Sequence, residues 1–164
     1  MRHGETFDNK CQIMQGQTQG ELNDAGISQA KELGSRYANE HIDAIVSSDL
    51  WRAVQTARII AEPHGLDIVT TPLLRERDWG SFTGRYIPEL KNEVWPDDIE
   101  SLVQLKDRAR IFLNYIRTTF PDKQVLCVGH GIINKAIQAV FFDKEMNQVE
   151  RMGNAEVRIL EMDC

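Results

Sequence analysis

VLCVGHGIINKA, residues 125–136, decides the fold class. Four apolar residues, Val125 to Val128, run without a polar break. Gly129-His130-Gly131 then interrupts them, and an apolar helical pattern (IINKAIQAVFF, residues 132–142) follows. A short continuous apolar run predicts a strand buried on both faces, which is the signature of a sheet covered by helices. His130 falls in the turn between strand and helix. In open α/β sheets that is where ligands collect, beside free helix N–H groups and the positive end of the helix dipole.

A second junction repeats the pattern. AIVSSDLWRAVQTA (residues 44–57) passes from a strand over residues 42–46, through Ser47-Ser48-Asp49, into a helix that Pro63 closes. Ser47, Ser48 and Asp49 are expected to cap that helix. Arg52 lies in its first turn. Further elements alternate around these two. A helix with Ala30, Leu33 and Tyr37 on one face starts at Asn23 or Asp24. DIVTT (67–71) reads as a strand stopped by Pro72. Residues 101–120 place Leu102, Leu105, Ala109, Phe112 and Ile116 on one stripe, with Ser101 as cap and Pro121 as stop. AEVRILEM (155–162) alternates as a final strand. The expectation is an α/β fold, a three-layer sandwich with a mostly parallel central sheet flanked by helices.

The 164 residues suit a single domain spanning 1–164, with the irregular stretch 80–100 as a cap or loop region over one face. A net charge of −6 argues against a general nucleic-acid or membrane surface. It leaves room for a local anion site made by a few arginines. Cys11, Cys127 and Cys164 are odd in number and widely spaced, without a ligand cluster. This speaks for a reducing cytoplasm and against a disulfide framework or zinc site; no cofactor is expected. His41 and His64 match no motif and read as surface residues.

A third junction is expected at the start, MRHGET, where Arg2 and His3 would end a strand and GETFDN would turn away. An arginine and a histidine at neighbouring strand ends suit a phosphate. Taken in order, RHGET with Asn9, Gln15-Gly16, GISQA ending at Ala30, SSDLWRAVQTA, LLRERDWGSFTG and Gly129-His130-Gly131 resemble the histidine phosphatase superfamily, also called phosphoglycerate mutase-like. The resemblance covers nearly the whole chain. Asp49 stands where a proline is common in the family. Gln19 and Glu21-Leu22-Asn23 depart from its usual Asp and Pro-Leu-Thr.

The resemblance implies a metal-independent phosphohistidine mechanism. His3 would be the nucleophile, Glu76 the proton donor and then the base, and His130 a further catalytic group. Arg2, Arg52, His130 and Asn9 would hold the phosphoryl oxygens, and Gln15 and Gly16 the substrate. The partner would be a small phosphorylated metabolite. The oligomeric state, a homo-oligomer among the alternatives, is left open. Hydrolysis is favoured over mutase-type transfer because residues 84–101 are short, with Arg85 and Lys91 their only basic residues, and the ending shows no lid tail. A non-catalytic phosphate-ligand binding protein is the alternative from another class. Relatives carry an apolar strand before the Arg-His pair, whereas here only Met1 precedes it. Four or five lost core residues would cost on the order of 6–15 kcal/mol. The first strand is therefore expected to be truncated, with the natural chain starting upstream.

Overall fold

A computed structural model describes residues 1–162; Asp163 and Cys164, part of the ending discussed above, lie outside the described residues. Three parallel strands form the sheet, β1 (Ala44–Ser48), β2 (Ile68–Thr71) and β3 (Val125–Val128), in the order β2-β1-β3. In register, Val46 stands opposite Val69 on one side and Cys127 on the other.

Helices cover both faces. Alternation along β1 explains the two cores, since Ile45 and Val46 are both fully buried but point opposite ways. Ile45 joins Leu33, Ala53, Ala57 and Ile60 on the side of α2 (Asp24–Tyr37) and α3 (Trp51–Ala61). Val46 joins Leu105, Phe112, Ile116 and Ile133 on the side of α4 (Leu102–Thr119) and α5 (Gly131–Phe141). The expected three-layer α/β architecture is present. So are the side-chain caps at Asn23, which accepts from Gly26 N at 2.9 Å, and at Ser101, which forms a capping box with Gln104.

The cap of α3 differs from expectation. Its N-cap is Leu50, which makes no side-chain bond. Gln19 Oε1, from a distant loop, accepts from Trp51 N at 2.9 Å. Ser48 Oγ serves only Leu50 N, and Asp49 is drawn off by Arg75.

Residues 1–3 take the place beside the carboxyl end of β3. Met1 N donates to Cys127 O (2.6 Å), Gly129 N to Met1 O (2.9 Å) and His3 N to Gly129 O (3.1 Å), with Arg2 bridged in parallel to Gly129. Met1, Val125, Leu126 and Cys127 border a cavity of about 850 Å³ that is also lined by Val157, Leu160 and Met162. The expected strand over 155–162 is not formed among the described residues. Its pairing with the N-terminal segment ends after two bonds, Ala155 N to His3 O and Arg2 N to Glu156 O, and the cavity separates the remainder from β3.

Residues 80–100 form two 3₁₀ turns, Gly80–Phe82 and Ile87–Asn92, whose buried Phe82 and Leu90 anchor them. Gly84 N donates to Met14 O and Met14 N to Arg85 O, so this segment is tied to the loop after the short helix α1 (Phe7–Lys10).

Candidate active site

The parallel sheet delivers three chain segments to one edge. Residues 1–3, the turn after β1 and the turn after β3 all finish at the carboxyl end, which brings Arg2, His3, Arg52 and His130 together. All four are buried. The rings of His3 and His130 lie 5.0 Å apart between centroids, at 59°.

Hydrogen bonds select the tautomers. A carbonyl only accepts, so the 2.6 Å contact between His3 Nδ1 and Gly4 O puts the proton on Nδ1 and leaves a lone pair on Nε2. A guanidinium only donates, so Arg52 Nε, 3.2 Å from His130 Nδ1, puts the His130 proton on Nε2. His130 Nε2 is buried with no hydrogen-bond partner among the described residues, and so is Arg2 Nε. An unmet buried donor is costly and marks a place for a ligand acceptor.

Burial is the main reason the two imidazoles sit well below the usual histidine pKa. The charge of Arg52 adds to this in both, with Arg2 also depressing His3 and His3 also depressing His130. Burial likewise lowers Arg2, and brings Arg52 down to about 10, which leaves it cationic at neutral pH. The pocket therefore pairs a neutral nucleophilic ring with two fixed cations.

Arg52 is largely committed to the protein. Its Nη1 donates to Thr18 O (2.5 Å) and Gln19 O (3.3 Å), and its Nη2 to Gly16 O (2.8 Å). The fork thus shapes the loop 15–20 as well as orienting His130. Gly16 supplies that carbonyl from a left-handed conformation (φ +51°), and a Cβ there would stand 2.8 Å from Thr83 Oγ1. Gln15 is buried, and its Oε1 accepts from Thr6 Oγ1 at 3.0 Å. Asn9 Oδ1 accepts from Thr6 N and Asn154 Nδ2, leaving its own Nδ2 as the donor for a ligand.

Glu76 separates itself from the charges around it. Arg75 forms a bidentate pair with Asp49 (2.7 and 2.6 Å). Arg77 lies over Trp79 and Trp95. Glu76 turns instead to the start of α5, where Oε1 accepts from Ile132 N and Ile133 N, both at 3.1 Å, and from Arg77 N at 2.8 Å. Oε2 shares only the Ile132 N–H, at 3.2 Å. In its ionised form its charge acts on both Arg2 and Arg52. Arg108, paired with Glu100, braces this strip by donating to the carbonyls of Leu73, Arg75 and Glu76.

Two contributors were not anticipated from sequence. Asn154 Nδ2 donates to His3 O (3.2 Å) as well as to Asn9, and Arg2 Nη1 donates to Met152 O (2.8 Å), so the loop 151–154 closes the far side of the site. A lone asparagine between Gly153 and Ala155 carries no local signal beyond that of a turn. Cys127 stays in the interior, its thiol pushed up to about 11 by burial, while Cys11 is exposed. Among the described residues no group of three or more His, Cys, Asp or Glu is placed to hold a metal ion. His41 is exposed beside Asp43, and His64 is half-buried rather than on the surface.

A fold whose strand ends gather two histidines and two arginines around unmet donors defines a phosphoryl-binding class. The histidine phosphatase superfamily (branch 1) model matches residues 1–164, and the chain belongs to that family. It is 40% identical to the uncharacterized phosphatase PhoE of Bacillus subtilis (strain 168) over an alignment of 135 residues. That alignment covers 80% of this chain and 69% of that protein. It is 36% identical over 146 aligned residues to a Proteus mirabilis (strain HI4320) protein named "Probable phosphoglycerate mutase GpmB", covering 80% and 68%. Among solved structures, mycobacterial glucosyl-3-phosphoglycerate phosphatase superposes with a TM-score of 0.83 at 28% identity, covering 93% of this chain and 84% of that one.

Proposed function

We propose that this chain is a phosphomonoesterase that hydrolyses a small phosphorylated metabolite through a phosphohistidine on His3. The observation that carries the reading is the complementary pair of ring nitrogens, a lone pair on His3 Nε2 beside an unpartnered N–H on His130 Nε2. Phosphoryl transfer needs a nucleophile in line and donors on the equatorial oxygens, and little else from the protein.

In the first half-reaction, the His3 Nε2 lone pair forms a bond to phosphorus as the ester P–O bond breaks. His130 Nε2–H, Arg2 Nε–H, Asn9 Nδ2–H and the uncommitted N–H of Arg52 Nη2 take up the phosphoryl charge. Glu76, protonated on the less engaged Oε2, gives its proton to the departing alkoxide. In the second, water attacks the phosphohistidine, Glu76 takes the water proton, and the N–P bond breaks. Orthophosphate and the starting His3 result.

Hydrolysis is favoured over mutase chemistry by the cap. A mutase retains a bisphosphate, which calls for free cations in the cap segment. Arg85, one of the two basic residues in that segment, is neutralised by a bidentate pair with Glu93. The protein is further proposed to act in the cytoplasm; no helix among the described residues is long and apolar enough to cross a membrane.

The test is phosphate release from an aryl phosphate in the presence of a chelator, by the wild type and by His3→Ala. Turnover resistant to chelation, an acid-labile phosphoprotein and loss of both in His3→Ala are expected. Turnover surviving His3→Ala would remove the phosphohistidine.

A further inference from the structure

Arg151 is a guanidinium that the chemistry above does not use. It lies in the loop that Arg2 and Asn154 latch onto the site through Met152 O, His3 O and Asn9 Oδ1. A methyl group placed on Gly131, the first residue of α5, would lie 3.6 Å from Arg151 Nε. It would lie equally 3.6 Å from both Nε and Cζ of Arg2. The two guanidinium groups therefore flank one backbone point at the start of α5, one buried and one exposed.

Among the described residues nothing pairs with the outer one. Arg151 forms no ion pair with any described residue. Of the neighbouring carboxylates, Glu156 is taken by Gly153 N (2.6 Å) and Arg158 Nε (2.9 Å). The positive charge of Arg151 is, after burial, the next cause holding Arg2 below its ordinary pKa. Two like charges held side by side by a latched loop are costly in the free protein. A ligand with a second negative group would relieve the strain, and the planar fork of arginine matches a carboxylate.

We infer that Arg151 determines specificity, binding a carboxylate carried by the substrate a few bonds from the phosphate ester. The preferred substrates are thus small phosphorylated acids rather than neutral phosphorylated alcohols. This rests on the phosphatase reading for the phosphate end, and the contact lies away from the reacting atoms, so it acts on binding.

Calorimetric titration with two matched, non-hydrolysable pairs tests it. These are 3-phosphonopropionate against propylphosphonate, and 4-phosphonobutyrate against butylphosphonate; each pair differs only in the terminal carboxylate. In the wild type, one carboxylated member is expected to bind about five- to tenfold more tightly, the range between an exposed ion pair and a charge-assisted hydrogen bond. The ratio should fall to near one in Arg151→Gln and be partly restored in Arg151→Lys, with circular dichroism reporting that both variants are folded. Equal affinities in the wild type at both lengths, or a ratio that survives in Arg151→Gln, overturns the inference, as does failure of all four ligands to bind. A carboxylate preference without turnover of an aryl phosphate would keep this role for Arg151 and remove hydrolysis. Turnover with a ratio of one would do the reverse.

Discussion

Gly26→Ala is the substitution with the sharpest structural consequence. Gly26 sits in the first turn of α2, where the backbone carrying His3 crosses it. A Cβ there would stand 2.0 Å from Glu5 O and 2.7 Å from Glu5 N. The crossing is tight from the other side too, since a Cβ on Gly4 would stand 2.5 Å from Gly26 O. The obstacle is backbone, so no rotamer change relieves it. Residues 4–5 or the start of α2 must withdraw by about 1 Å. Overpacking costs about 3 kcal/mol, offset by about 1 kcal/mol of helix propensity gained by alanine. The net loss of about 2 kcal/mol corresponds to roughly 4–8 °C in melting temperature for a chain of this size. His3 is one residue from the clash, and a displacement of about 1 Å in a reacting group costs roughly 100-fold in rate. Gly34→Ala, in the same helix, meets Ile59 O at 3.2 Å and serves as the control, expected within about 2 °C of the wild type. Thermal unfolding and steady-state aryl phosphate hydrolysis read the two effects. A Gly26→Ala protein that melts with the wild type and keeps kcat/KM within threefold would refute the crossing as drawn.

Other expectations follow from the same contacts. His3 and His130 are held neutral in the fold but take up protons near pH 6.5 when unfolded. Their contribution to stability is therefore complete above about pH 6.5 and is lost as pH falls below it. Urea midpoints should be lower at pH 5.5 than at 7.5, and a rise would contradict the buried neutral pair. The acid limb of kcat/KM should likewise lie below pH 6.5. Arg52→Lys removes the fork that joins His130 Nδ1 to the carbonyls of Gly16 and Thr18. Its kcat/KM should drop by about 100-fold or more, and a drop under tenfold would mean the charge alone suffices. Arg108→Ala leaves the carbonyls of Leu73 and Arg75 without their donor and takes one from Glu76 O and from Glu100, which keep Gln17 Nε2 and Asp78 N. It should cost about 2 kcal/mol by denaturant titration and lower kcat through Glu76; unchanged kcat would disconnect the brace from the acid.

The parts of this molecule legible in its sequence are those governed by local pattern. β3 could be read because burial on both faces demands an unbroken apolar run; of β1 only Ala44-Ile45-Val46 could be read so, and Ser47 and Ser48, expected as caps, extend the strand. Asn23 and Ser101 could be read because capping acts over three residues. His130 could be placed at a strand end because an apolar run stops there, and Arg52 in the first helical turn after another; Arg2 and His3, with only Met1 before them, are placed by the resemblance to the family. What escaped depends on contacts between distant segments. Gln19 caps α3 from 32 residues away, and Asn154 reaches His3 across 151 residues. The 155–162 alternation is real, but a strand also needs a partner edge, and among the described residues only two bonds join it to the N-terminal segment. Glu76 could not be told from Arg75, Arg77 and Asp78 by composition; the amides at the start of α5 single it out.

The unsatisfied N–H groups of Arg2 and His130 do not distinguish an incoming ester from the inorganic anion left after cleavage. Orthophosphate meets the same donors, without the alcohol that helped the substrate leave water. Such a pocket retains what it makes. At a concentration 100 times its dissociation constant, the anion would add about 2.7 kcal/mol to the stability of the fold. As phosphate accumulates it would compete with the ester for these same donors, and turnover would slow because the site is occupied rather than because bond cleavage changes.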